Sequence, residues 1–213
     1  MLPSLSASAE QLFRRAAAVR AVQGGTVNIF SDALAKLEKV SQRMGAPLAV
    51  VGGLAGIHHQ ALVTTLDIDL VVSRDRLDDF LRECVAEGLE IKHRSEHGWH
   101  SVLFRSGDET VEIQVVPEGE KSPRDPDYAP PIPGPADLGV ASGLGYASFA
   151  AWVALKLVAN REKDRYHLIE ALKKASQAQI AEVVVKLRPM HKSYLHEFER
   201  LVRAAEDENQ ENW

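Results

Sequence analysis

Cysteine is almost absent from this chain: Cys84 is the only one among 213 residues. That excludes an intramolecular disulfide and a Cys-rich zinc site. Cys84 lies in an amphipathic helical pattern and reads as a small apolar core residue. Aromatic residues are sparse, at 6%, and Trp99 and Trp152 read as core or as a wall of a site rather than as base-stacking platforms. Charge of one sign is also lacking. A net charge of −5 gives no general footprint for nucleic acid, so any RNA contact has to come from a local basic patch. No apolar run reaches the length of a membrane span, and the Ala-rich N-terminus carries no signal-peptide hydrophobic block. The expectation is a cytoplasmic protein with no membrane contact. His58, His59, His97 and His100 lack the cysteines or the tight His-x-x-x-His helical pair that a structural zinc site needs.

What is present is a hydrophobic fraction of 45%, enough for one good core and a smaller helical appendage. Apolar periodicity predicts helices over about 7–22 and 30–43, a buried strand over 48–51, and a short helix from Gly53 to His59. A helix over 75–87 capped by Ser73 follows, then strands over 89–94, 101–105 and 110–116, the first two joined by a polar turn at Glu96-His97-Gly98. Residues 117–145 are rich in Pro and Gly and read as a loop or crossover. Beyond Ser148 the pattern is helical, over 149–160, 163–174, 177–187 and 193–207, with a frayed acidic end from Glu206. The expected organisation is an α+β fold in three parts. Residues 1–116 form N-terminal helices and a mixed sheet flanked by helices, 117–147 the crossover, and 148–213 a C-terminal helical part.

Leu66-Asp67-Ile68-Asp69-Leu70-Val71-Val72 is the segment that carries chemistry. Strand residues two apart share a face, so Asp67 and Asp69 project together while Ile68, Leu70 and Val72 enter the core. Two carboxylates side by side repel by on the order of a few kcal/mol at an effective dielectric of about 20, and a cation between them removes that cost. The preceding Gly52-Gly53 turn lets backbone amides approach phosphate oxygens with no Cβ in the way. A solvent-exposed strand face with merely solvated acids is the bland alternative. On the 110–116 strand, Val111, Ile113 and Val115 alternate with Glu112 and Gln114, so Glu112 could add a third acid. The short charge runs Lys92-His93-Arg94 and Arg161-Glu162-Lys163 read as solvated faces. Lys156, alone on an apolar helix, either snorkels to the surface or meets phosphate.

Gly52-Gly53-Leu54-Ala55 followed by Thr65-Leu66-Asp67-Ile68-Asp69-Leu70 resembles the signature of the DNA polymerase β-type nucleotidyltransferase superfamily. The arrangement is most similar to its minimal prokaryotic members related to AbiEii-type toxins. Leu155-Lys156-Leu157-Val158-Ala159-Asn160-Arg161 with Lys163-Asp164 resembles their later helix-turn-helix block, in which a Lys and an Arg-x-x-Asp turn pack back on the active site. The resemblance spans about 49–172. It implies a nucleotidyltransferase-like fold and transfer of a nucleoside monophosphate from an NTP to an acceptor hydroxyl on RNA or protein. Asp67 and Asp69 would hold Mg2+ or Mn2+, with Glu112 as third ligand or base. Gly52 and Gly53 would cradle the phosphates, Thr65 would support the metal-bearing strand, and Lys156 would neutralise phosphate charge.

An antitoxin partner or a homo-oligomer is a further implication. The chain departs from the family pattern at several places. His59-Gln60 stands for a His-Gly pair, Leu62-Val63 for an Arg before the Thr, and His167 for a second Asp. Aligned on the following Pro-x-Gly, the third acid falls at Gln114. These departures leave open a second reading, a catalytically silent relative that binds nucleotide or a partner chain.

Overall fold

The computed structural model describes residues 28–61, 65–95, 98–122 and 125–211. The expected helix over 7–22 and residues 96 and 97 of the polar turn lie outside them. The α+β architecture is the one observed: a six-stranded mixed sheet flanked by helices, followed by a helical C-terminal part. Helix α1 (Asn28–Met44) leads into β1 (Leu48–Val50), α2 (Gly52–His58) and β2 (Asp67–Val72). A 3-10 turn (Arg74–Arg76), α3 (Leu77–Ala86) and strands β3 (Glu90–His93), β4 (His100–Ser106) and β5 (Glu109–Pro117) come next. Strand β6 (Leu144–Tyr146) and helices α4 (Phe149–Ala159), α5 (Glu162–Leu172), α6 (Gln177–Leu187) and α7 (Lys192–Glu211) complete the chain.

The strand order is β3-β4-β5-β2-β1-β6. β2 runs parallel to β5 with Asp67 opposite Glu112 and Asp69 opposite Gln114, and antiparallel to β1. Alternation along the strands sends side chains to two separate cores. Leu48, Val50, Ile68, Leu70, Val72, Val111, Ile113 and Val115 pack with α1 and α3 on one face. Ala49, Val51 and Val71 pack with the C-terminal helices on the other. Ile68, Leu70 and Val72 are fully buried, each burial worth roughly 1.5–3 kcal/mol. That fixes β2 against a one-residue slip, which would turn both acids into the α1–α3 core.

Three expectations need correction. The Pro/Gly-rich stretch is not loop throughout, because Leu144–Tyr146 adds a parallel edge strand to β1. Leu144 N–H, at its start, donates to Glu38 Oε2 at 3.0 Å. Ser73 does not cap a helix directly. Its hydroxyl makes no capping bond, and the chain takes the 3-10 turn before α3 begins at Leu77. Arg74 in that turn instead reaches the Glu118 carbonyl at 2.9 Å. The acidic tail is also helical as far as Glu211, tied back by Asn209 Nδ2 donating to Lys173 O at 3.3 Å. Other elements lie within a residue or two of their expected bounds, and Cys84 is fully buried in the α1–α3 core, where desolvation pushes its thiol up to about 12. No helix among the described residues is long and apolar enough to cross a membrane.

Candidate active site

Asp67 and Asp69 share the face of β2 on which the C-terminal helices pack, and both are partly buried. Each is held differently. Asp67 accepts from Thr65 Oγ1 at its Oδ1 (2.8 Å) and from Gln114 Nε2 at its Oδ2 (2.8 Å). Thr65 Oγ1 also donates to the Asp67 carbonyl at 3.1 Å, which pins the entry of β2. Asp69 lies against the Gly52-Gly53 turn and accepts from the Gly53 backbone amide.

The two glycines are needed for steric reasons that the structure makes explicit. Gly52 has φ +60, and a Cβ there would sit 1.6 Å from Asp69 Oδ2. A Cβ on Gly53 would meet Thr65 Oγ1 at 2.6 Å. The turn therefore admits side chains of the acid-bearing segment, and the Gly53 amide donates to Asp69. Trp152 of α4 fixes the turn from the other side, its indole N–H donating to Gly52 O at 3.0 Å. Trp152 is fully buried, in keeping with core or a wall, whereas Trp99 is 47% exposed and is not a core residue.

Desolvation, then the adjacent Asp67 carboxylate, push Asp69 up from 3.8 to about 6. The Lys156 ammonium, the Gly53 amide and the Arg161 guanidinium pull it back. Lys156 and Arg161 converge on Asp164, which is completely buried. Lys156 Nζ donates to Asp164 Oδ1 at 2.6 Å and Arg161 Nε to Oδ2 at 2.6 Å. Burial works to raise Asp164, but these hydrogen bonds win and hold it below its ordinary range. Lys156 thus does not snorkel; it is buried and ion-paired, within electrostatic reach of Asp69.

The sequence-derived set is brought together only in part. Gly52, Gly53, Thr65, Asp67 and Asp69 form one contact group, with Lys156 within electrostatic reach of Asp69. Glu112 lies opposite Asp67 in register but turns toward β3, its carboxylate 2.6 Å from Lys92 Nζ. The Lys92 hydrogen bond holds Glu112 below the usual carboxylate range against the effect of burial. Among the described residues no three His, Cys, Asp or Glu side chains converge as a metal site; the acids form a pair. Arg161 is reached from the sequence only through the resemblance, as the Arg of an Arg-x-x-Asp turn, and without a site role of its own; read alone it is part of a solvated charge run. Its spacing of three from Asp164 was the available signal. The Trp152 bond to Gly52 has no local sequence signal at all.

The donor chemistry fits a divalent cation. Two carboxylates lie side by side, one of them desolvated and raised by its neighbour, and hard oxygen ligands are what Mg2+ and Mn2+ take.

The sequence matches no protein-family model and no curated protein. Among solved structures it is similar to the antibiotic-resistance factor ANT(2'')-Ia in solution, with 15% identity, 84% of this chain and 92% of that one covered, and a TM-score of 0.41. A crystal structure of ANT(2'')-Ia in complex with adenylyl-2''-tobramycin gives 13% identity, 84% and 97% coverage, and a TM-score of 0.39. The CdnC:HORMA-deltaN complex of E. coli MS115-1 gives 15% identity over 87% of this chain and 54% of that one, with a TM-score of 0.29. Likenesses at this level leave the chemistry of the site to be read from its own geometry.

Two tests follow from that geometry. Gly52→Ala introduces both a left-handed non-glycine residue and a collision with Asp69. Gly45 has nearly the same φ, +59, with nothing within 4 Å of its Cβ position. Gly45→Ala is expected to cost about 1–2 kcal/mol from backbone strain alone, and Gly52→Ala clearly more, by chemical denaturation. Equal costs would show that Asp69 does not occupy the notch.

Asp69 supplies the second. Its folded value, about 6, lies above the ordinary 3.8. Its contribution to stability is therefore complete below about pH 4 and lost as pH rises through 6. In metal-free thermal and denaturant unfolding, Asp69→Asn should match the wild type near pH 4 and exceed it at pH 8 by up to about 3 kcal/mol. A difference independent of pH would contradict the assignment.

Proposed function

We propose that this protein is a divalent-metal-dependent nucleotidyltransferase that moves a nucleoside monophosphate from an NTP to an acceptor hydroxyl and releases pyrophosphate. The observation that carries this reading is the Asp67–Asp69 pair, set side by side on β2 with Asp69 seated in the Gly52-Gly53 notch and pushed up to about 6. Such a pair is costly without a cation and suited to hold one.

Asp67 and Asp69 would hold Mg2+ or Mn2+. A cation bound there offsets the carboxylate charge and stabilises negative charge on phosphate oxygens during an in-line displacement. The remaining tasks belong to the chain's own residues. Thr65 and Gln114 keep Asp67 in one rotamer through 2.8 Å hydrogen bonds. Gly52 and Gly53 keep Asp69 in place by leaving room for it and for Thr65. Lys156 and Arg161, clamped by Asp164, put two cations near Asp69, where they favour an anionic triphosphate. Glu112 serves as third ligand or base only on release from Lys92. An RNA or protein acceptor, a place among AbiEii-like toxins with an antitoxin partner or self-association, and a cytoplasmic location belong to the same proposal and rest on the sequence resemblance.

One observation favours a second reading, a silent relative that binds nucleotide or a partner. The amide of Gln114, rather than an acid, touches Asp67. The experiment that separates the two is label transfer and pyrophosphate release from each radiolabelled NTP with Mg2+, in the presence of total RNA and cell protein. Transfer from an NTP, abolished in the Asp67→Asn/Asp69→Asn double variant with folding intact, is the expected result. Transfer that survives the double variant would sink the metal assignment. No transfer from any NTP, with measurable NTP binding, would leave the silent module.

A further inference from the structure

Both oxygens of Asp67 are occupied by neutral donors, Thr65 Oγ1 on one side and Gln114 Nε2 on the other. Gln114 also lies opposite Asp69 in the β2–β5 register, so the β5 position that borders both acids carries an amide. The orientation of that amide follows from its partner. Gln114 Nε2 donates to Asp67 Oδ2 at 2.8 Å, so the NH2 end of the amide faces Asp67. A donor group then fills the β5 side of the pair, where a second cation would need another carboxylate. The remaining acid on this face, Glu112, is drawn away by Lys92 at 2.6 Å.

We propose that Gln114 is a positioning residue that orients Asp67 and limits the site to one divalent cation, held between Asp67 and Asp69. The inference rests on the nucleotidyltransferase reading of that pair and specifies its metal count. Two carboxylates balance one divalent cation. A second would place excess positive charge against the Gln114 amide N–H, with no ligand to draw it there.

The test is titration of the full chain with Mn2+ alone, followed by electron paramagnetic resonance of free and bound ion. The wild type is expected to bind one Mn2+, lost in the Asp67→Asn/Asp69→Asn variant. Gln114→Glu adds a third carboxylate, and should bind a second Mn2+ or hold the first about tenfold tighter. If Gln114→Glu does not fold, as judged by circular dichroism, Gln114→Leu carries the test. It removes the donor and should weaken the single Mn2+ about tenfold, because Asp67 loses its fixed rotamer. Two Mn2+ in the wild type, both lost in the double variant, would overturn the one-cation inference while leaving the metal reading of the acids intact. Loss of Mn2+ on Glu112→Gln would move the third ligand to Glu112 and overturn the role of Gln114. An unchanged affinity in both Gln114 variants would do the same. No Mn2+ bound by the wild type would remove the inference and the metal reading together.

Discussion

The repulsion between two carboxylates on one face of β2 is the constraint around which the rest of this site is arranged. Asp69 is the more strained of the pair, desolvated and raised by Asp67 to about 6. Each surrounding feature reduces that cost without removing it. The Gly53 amide donates to Asp69, the Lys156–Asp164–Arg161 cluster supplies positive charge from the side of α4 and α5, and Thr65 and Gln114 satisfy Asp67. A protein selected for stability alone would have no reason to keep both acids. Two acids kept side by side at a cost are the feature on which the proposed metal site rests.

The fold makes the pair rigid. Ile68, Leu70 and Val72 anchor β2 in the α1–α3 core, so the acids cannot leave their face without exposing that core. On the opposite face, α4 packs through Trp152 against the carbonyl of Gly52. The C-terminal helices are thus physically coupled to the glycine turn that seats Asp69. Asp164 reinforces this coupling. It is fully buried and paired with Lys156 and Arg161, and leaving such a charge unpartnered typically costs about 3–5 kcal/mol.

Local pattern and tertiary register divide what the sequence reveals from what it hides. The alternation in 67–72 and 111–115 is a two-residue period, so the shared face of Asp67 and Asp69 and the buried faces of β2 and β5 were legible. The C-terminal helices were legible as a helical pattern running on after Ser148, and the structure adds that the Ser148 hydroxyl caps α4 by accepting from Ala151 N–H. Strand β6 was not. Three half-buried residues after a Pro/Gly-rich stretch have no period of their own, and only pairing with β1 makes them a strand. The choice between Glu112 and Gln114 was illegible for a sharper reason. Both lie on one face of β5, and what separates them is Lys92 on β3, a partner set by a register two strands away. Arg161 was legible only through the Arg-x-x-Asp pattern of the resemblance; as a member of a charge run it gave no sign of its ion pair with Asp164.

The central claim, that Asp67 and Asp69 together hold a metal-bound nucleotide, is tested most directly by a crystal structure with Mn2+ and a non-hydrolysable NTP analogue, using Mn anomalous scattering. The account predicts an anomalous peak between the two carboxylates, at about 2 Å from an oxygen of each, with triphosphate oxygens on the same ion and Lys156 and Arg161 on the phosphate side. A nucleotide bound elsewhere in the chain, with no anomalous density between Asp67 and Asp69, would contradict it.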